Sequence, residues 1–150
     1  EATGLLSLAD DSGICVDAMG GAPGVFSARW CGRHGDDAAN LELLLAQMAD
    51  VPERRRGASF VCAAAMAAPD GRAAVLAAPG PGPDHRPTVT RIERSMEGRL
   101  LGEPRGEGGF GYDPIFRPEG LSVSSAELTP ERKEAISHRG KAFRALAARI

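Results

Sequence analysis

The helical period at Leu41, Leu44, Leu45 and Met48 constrains the fold of this chain most, because these apolar positions follow the i, i+3, i+4, i+7 rule. Asp36 or Asp37 can cap this helix, and it must end before Pro52. Upstream, Leu5 to Leu8 and Ile14 to Val16 flank ADDSG, which reads as strand, acidic turn, strand. Downstream, ASFVCAAAMA (Ala58 to Ala67) and Ala73 to Ala78 are joined through Pro69-Asp70-Gly71, so a β-hairpin is expected, with helix left open by the alanine content. PGPGPDHRP, Pro79 to Pro87, reads as an exposed loop too short to separate domains. Thr129-Pro130-Glu131-Arg132 reads as a cap and first turn, and Phe143, Leu146, Ala147 and Ile150 give a closing amphipathic helix. The pattern is mixed α/β, one domain over residues 1–150, without an internal repeat.

With 43% hydrophobic and 25% charged residues, the 150-residue chain can bury a core, which excludes a disordered class. A net charge of -2 and 5% aromatic content lack the basic footprint of a nucleic-acid binder. Cys15, Cys31 and Cys62 form no CxxC pair and suggest reduced thiols, not a disulfide framework or a zinc site. No apolar run approaches the roughly 18 residues of a membrane span. The expectation is a cytoplasmic protein with no membrane or nucleic-acid partner.

Three stretches can carry chemistry. In LADDSG, successive strand side chains face opposite ways, so Asp10 and Asp11 can enter one cleft only where the strand is ending, as Ser12-Gly13 would allow. Two such carboxylates suit a hard cation such as Mg²⁺, or one can deprotonate a water. For a bare DD, an Asx turn or a solvated surface pair is the better account. In PRGEGGFGYDPIF, Gly106, Gly108 and Gly111 satisfy GxGxxG. No clear strand leads in and Asp113-Pro114 stands where a helix should open, so the match is not a dinucleotide fingerprint. The stretch instead offers close backbone approach with Phe110 and Tyr112 as flat surfaces and Asp113 as an acceptor, groups able to hold a base; aromatics packed in the core are the alternative. In ERKEAISHRGKAF, Lys133, Ser137 and His138 lie on one helical turn and its end, which Gly140 would terminate. With Arg139 they can present donors to a phosphorylated, carbonyl-bearing ligand, or simply complement a helix dipole.

Taken together, LADDSG with VDAMGGAPGVFSARW, then GEGGFGYDPIF, then AEL and SHRG, resemble the inosine triphosphate pyrophosphatases, also called non-canonical purine NTP pyrophosphatases or XTP/dITP diphosphatases. The resemblance covers nearly the whole chain. It implies an α/β fold with a mixed central sheet flanked by helices, and Mg²⁺-dependent hydrolysis of ITP, dITP or XTP to the monophosphate and pyrophosphate by a homodimer. It further implies that Asp11 is the catalytic carboxylate and a metal ligand, that Asp10 supports the metal, and that Ser12 touches the nucleotide. Phe110, Gly111, Tyr112, Asp113, Lys133, His138 and Arg139 match the substrate-binding positions.

Family members carry, ahead of the DD motif, a strand-helix-strand head of roughly 30 residues or more with a lysine loop and a metal-binding glutamate. This sequence starts at Glu1, so the expectation is an N-terminally incomplete domain, read as a fragment, whose triphosphate grip and turnover are weak; an inactive short protein is the other reading. Ala77 to Arg94 also departs from the family, with a proline-rich stretch where a strand is expected.

Overall fold

The computed structural model describes residues 5–68 and 88–149. Strand β1 (Ser7–Val16), helix α1 (Asp37–Gln47) and strands β2 (Gly57–Ala68), β3 (Thr88–Leu100) and β4 (Phe116–Pro118) are followed by helices α2 (Pro130–Ile136) and α3 (His138–Ala147). The α/β architecture is as expected. The strands form one sheet in the order β1-β2-β3-β4, and every described pairing is antiparallel. The turn at Pro69-Asp70-Gly71, the segment Ala73 to Ala78 and the loop Pro79 to Pro87 lie outside the described residues.

Strand β2 organises the sheet. Its side chains alternate in burial along its whole length, with Ala58, Phe60, Cys62, Ala64, Met66 and Ala68 on the buried face. That regularity settles the alanine-rich stretch as strand. It also explains why the acidic turn expected at residues 9–13 does not form. β2 offers an unbroken ladder to its neighbour, and β1 pairs with it continuously from Ser7↔Ala67 to Val16↔Ala58, with Asp10 opposite Ala64 and Asp11 opposite Ala63. Ladder hydrogen bonds outweigh the turn preference of Asp-Asp-Ser-Gly.

The core lies on that one buried face in two adjoining parts. Ile14, Val16, Phe60, Met96 and Leu100 meet Leu41, Leu44 and Met48 of the α1 segment, closed over by Tyr112, Ile115 and Phe116. Cys62, Ala64 and Met66 meet Ala142 and Leu146 of α3. Helix α1 forms as its period predicts, with the Asp36 carboxylate accepting from Ala39 N at 3.1 Å as its cap. Leu44 is fully buried, so Leu44→Ala would cost about 2–5 kcal/mol. Among the described residues no helix is long and apolar enough to cross a membrane, and the three cysteines are free thiols.

Candidate active site

Strand β3 runs directly into the glycine loop. A strand therefore does precede the GxGxxG match, contrary to expectation, but the match still opens no helix: Asp113–Ile115 is a single 3-10 turn that passes into β4. The loop is shaped by carboxylates. Asp113, buried to 4% side-chain exposure, accepts from Phe110 N at 2.8 Å and pairs with the Lys133 ammonium. Gly109 has φ +72°, and a side chain there would collide with the Asp113 carboxylate, so the sequence needs glycine. Gly111 donates its N–H to Asp37 at 2.9 Å.

The two loop aromatics divide the alternatives between them. Tyr112 is core: it is 5% exposed, its hydroxyl donates to the Ser27 carbonyl at 2.8 Å, and burial pushes its pKa up to about 12. Phe110 is 72% exposed, with the Lys133 ammonium 4.6 Å from its ring centroid. One face of an aromatic ring is thus held over a cation and the side chain stands open to a ligand.

Gly140 does not terminate a helix as expected. Thr129 caps α2, accepting from Arg132 N, and Ser137 then caps α3, accepting from Gly140 N at 2.9 Å. Gly140 sits in the first turn of α3, where a Cβ would strike the Glu134 carbonyl; glycine lets the two helices meet at a sharp corner. That corner aims His138 and Arg139. The His138 ring stacks on Phe60 with centroids 5.0 Å apart and planes 11° apart. Burial, opposed by Asp113 and assisted by Lys133, Arg139 and Lys141, lowers its pKa to about 4, so the imidazole is neutral near pH 7. Arg139 forks onto Asp10, with Nε to Oδ2 at 3.0 Å and Nη2 to Oδ1 at 3.3 Å.

Alternation along β1 puts Asp10 and Ser12 on the face that carries Ile14 and Val16, and Asp11 on the other face. Ser12 lies opposite Cys62 across the β1–β2 ladder, and burial raises the Cys62 thiol pKa. Asp11 is exposed and, among the described residues, forms no ion pair. The same residues contain no group of three His, Cys, Asp or Glu able to hold a metal. A hard cation that keeps several waters and takes phosphate oxygens needs only one or two protein carboxylates. Asp11 meets that minimum as an open donor, while Asp10 shares its charge with Arg139.

The structure therefore joins Phe110, Asp113 and Lys133 in one set of contacts and Arg139 with Asp10 in another, with His138, stacked on Phe60, next to Arg139 in the chain and within electrostatic reach of Asp113 and Lys133. Tyr112 serves the core behind it, Gly111 faces Asp37, and Asp11 lies across the strand. Sequence reasoning missed Phe60 as the platform under His138 and Asp37 as a partner of the loop. The inward period of β2 and the unexplained second acid of Asp36-Asp37 were the available signals.

The sequence profile of the Ham1 family matches residues 1–149. The chain is 58% identical over 146 residues to a dITP/XTP pyrophosphatase of Streptomyces coelicolor, covering 97% of this chain and 65% of that protein. It thus spans just under two thirds of that relative's length. Among solved structures it resembles the nucleoside-triphosphatase / dITP/XTP pyrophosphatase of Mycobacterium abscessus, with 50% identity and a TM-score of 0.75 over 96% of this chain and 67% of that one. It also resembles a HAM1 protein from Coxiella burnetii, with 37% identity and a TM-score of 0.80 over 99% of this chain and 68% of that one.

Proposed function

We propose, from the premise that this chain belongs to the Ham1 family, that its protein hydrolyses ITP, dITP and XTP to the monophosphate and pyrophosphate, removing deaminated purines from the cytoplasmic nucleotide pool. The observation that carries this reading is the exposed Phe110 ring beside Lys133, with His138 and Arg139 at the same corner. A purine can stack on the ring while fixed donors read its edge.

Asp11 is the catalytic carboxylate. Open and unpaired, it would hold Mg²⁺, and it takes the proton of the water whose oxygen bonds to the α-phosphorus as the bond to the pyrophosphate leaving group breaks. Asp10, anchored by Arg139, supports the metal site with its charge. The metal, when bound, neutralises the triphosphate's repulsion of the nucleophile. Ser12 contacts the nucleotide, and Gly111, Tyr112 and Asp113 shape the loop around the base.

Base choice follows from donors. Inosine and xanthine present a 6-keto acceptor where adenine presents an amine. The Arg139 guanidinium donates to the former and leaves adenine badly paired. Neutral His138 keeps one N–H donor and one acceptor, so it reads the same edge without adding charge. The working unit is a homodimer; exposed Leu8, Val25 and Phe26 are apolar surface of the kind a second copy covers. Substrate profiling of ITP, XTP, ATP and GTP with pyrophosphate detection tests the reading: preference for ATP, or release of orthophosphate alone, would overturn it.

A further inference from the structure

The Asp36-Asp37 doublet at the start of α1 divides its labour. Asp36 alone does the capping: its carboxylate accepts from Ala39 N at 3.1 Å and pairs with Arg33 at 2.7 Å. Asp37 is not needed for either bond. A first-turn acid also gains a few tenths of a kcal/mol from the helix dipole, but that gain would not require the side chain to point anywhere in particular. It does point: Asp37 Oδ2 accepts the N–H of Gly111, 74 residues away in sequence, at 2.9 Å.

Gly111 is a consequential place for such a bond. Its φ of +59° lies in the left-handed region, and the residue on one side is the exposed Phe110 while the one on the other is the buried Tyr112. The adjacent amide, that of Phe110, is held by Asp113, and Tyr112 is tied by its hydroxyl to Ser27. The loop's base-facing turn is therefore fixed at three consecutive residues, and only the Gly111 attachment is made by α1. Helix α1 is itself rigid, seated in the core through Leu44 and capped at its start.

We propose that Asp37 is a positioning residue for the glycine loop: its carboxylate latches the Gly111 amide to α1 and so sets the angle at which Phe110 is presented to the purine. The inference rests on the functional reading above. Asp37 touches no reacting atom and acts through the loop.

The test uses the full-length protein with Asp37→Ala and Asp37→Asn. Asn keeps an oxygen that can accept the Gly111 N–H, and Ala does not. Amide hydrogen exchange reads the latch without any activity: exchange at Gly111 should quicken by about three- to tenfold in Asp37→Ala and return toward wild type in Asp37→Asn. In steady-state kinetics with Mg²⁺-ITP, Asp37→Ala should raise KM by about the same factor with kcat held within about twofold, and Asn should restore KM. A loss of general stability would lower kcat through the amount of folded enzyme and would not separate the two constants. If wild type turns over no ITP, the functional reading fails and the exchange measurement still decides the latch. Unchanged exchange at Gly111 in Asp37→Ala, or an Asn variant as perturbed as Ala in both measurements, would overturn the proposal.

Discussion

Neutralising Asp113 should cost less stability than neutralising its partner Lys133, although the two variants break the same ion pair. Breaking a fully buried pair costs about 3–5 kcal/mol, because the surviving charge is stranded. Here the survivors differ: the Lys133 side chain keeps 20% exposure and the Asp113 side chain 4%. In Asp113→Asn the freed ammonium can swing to water, and the amide oxygen can still accept from Phe110 N, so the loss should be about 2 kcal/mol. In Lys133→Met the carboxylate stays sealed with only the Phe110 N–H, and the loss should reach about 3–4 kcal/mol. The double variant should lose at least about 2 kcal/mol less than the sum of the two single losses, the signature of a coupled pair. Urea unfolding of the full-length protein near neutral pH, followed through the fluorescence of Trp30, measures all three. Trp30 packs against the core and donates to Gln47 at 2.7 Å, so it reports folding. Additive costs, or a larger loss from Asp113→Asn than from Lys133→Met, would refute the reasoning.

The remaining predictions concern the same corner. His138 has a folded pKa of about 4 against an ordinary 6.5, so between these values the unfolded chain binds the proton and stability falls as pH drops. The contribution is at most about 3 kcal/mol and nearer 2 after solvent screening, and it should vanish from the pH dependence of unfolding in His138→Gln; identical profiles would contradict the neutral imidazole. Gly140→Ala should cost about 2–3 kcal/mol through the clash with the Glu134 carbonyl, and an unchanged melting temperature would mean that the helix corner is not tight. Arg139→Ala should raise KM for ITP and narrow the gap to ATP, whereas equal losses on both nucleotides would assign it to phosphate. Phe110→Ala should weaken nucleotide binding by about 1 kcal/mol or more with little change in stability, since its ring is exposed; the opposite pattern would make it a packing residue.

What the sequence revealed depended on whether a local signal was opposed. Helix α1 is legible because its period, its cap and Pro52 agree; of the face expected for α3, Leu146 is buried and Phe143 half-buried, but Ala147 is exposed and Ala142 is buried in its place, while Ile150 lies outside the described residues. Sequence alone points to an acidic turn because Asp-Asp-Ser-Gly favours turns locally, while the ladder that overrides it comes from residues more than 40 positions away. Strand β3 is hard to read from sequence because TVTRIERSMEGRL carries charge on its outward positions and at inward Arg94; among its inward residues with described burial, Met96 and Leu100 are the enclosed ones. Gly140 reads as a terminator in sequence because glycine commonly ends helices, whereas here it permits one helix to begin against another. Within the site, the basic cluster and the glycine loop could be read from motif wording. The Asp37–Gly111 bond and the Phe60–His138 stack could not, since each joins residues distant in sequence through geometry alone.

The most direct test of the account is pyrophosphate release from Mg²⁺-ITP by the full-length protein, wild type beside Asp11→Asn, with ATP as the competing substrate. Wild type should release pyrophosphate, with kcat/KM for ITP about 10² or more above that for ATP. Asp11→Asn should lose about 10²-fold or more in kcat while unfolding at the same urea concentration, because an amide neither holds the metal's charge nor takes the water's proton. An Asp11→Asn enzyme within about threefold of wild type would contradict the central claim that this carboxylate, open on the far face of β1, performs the chemistry.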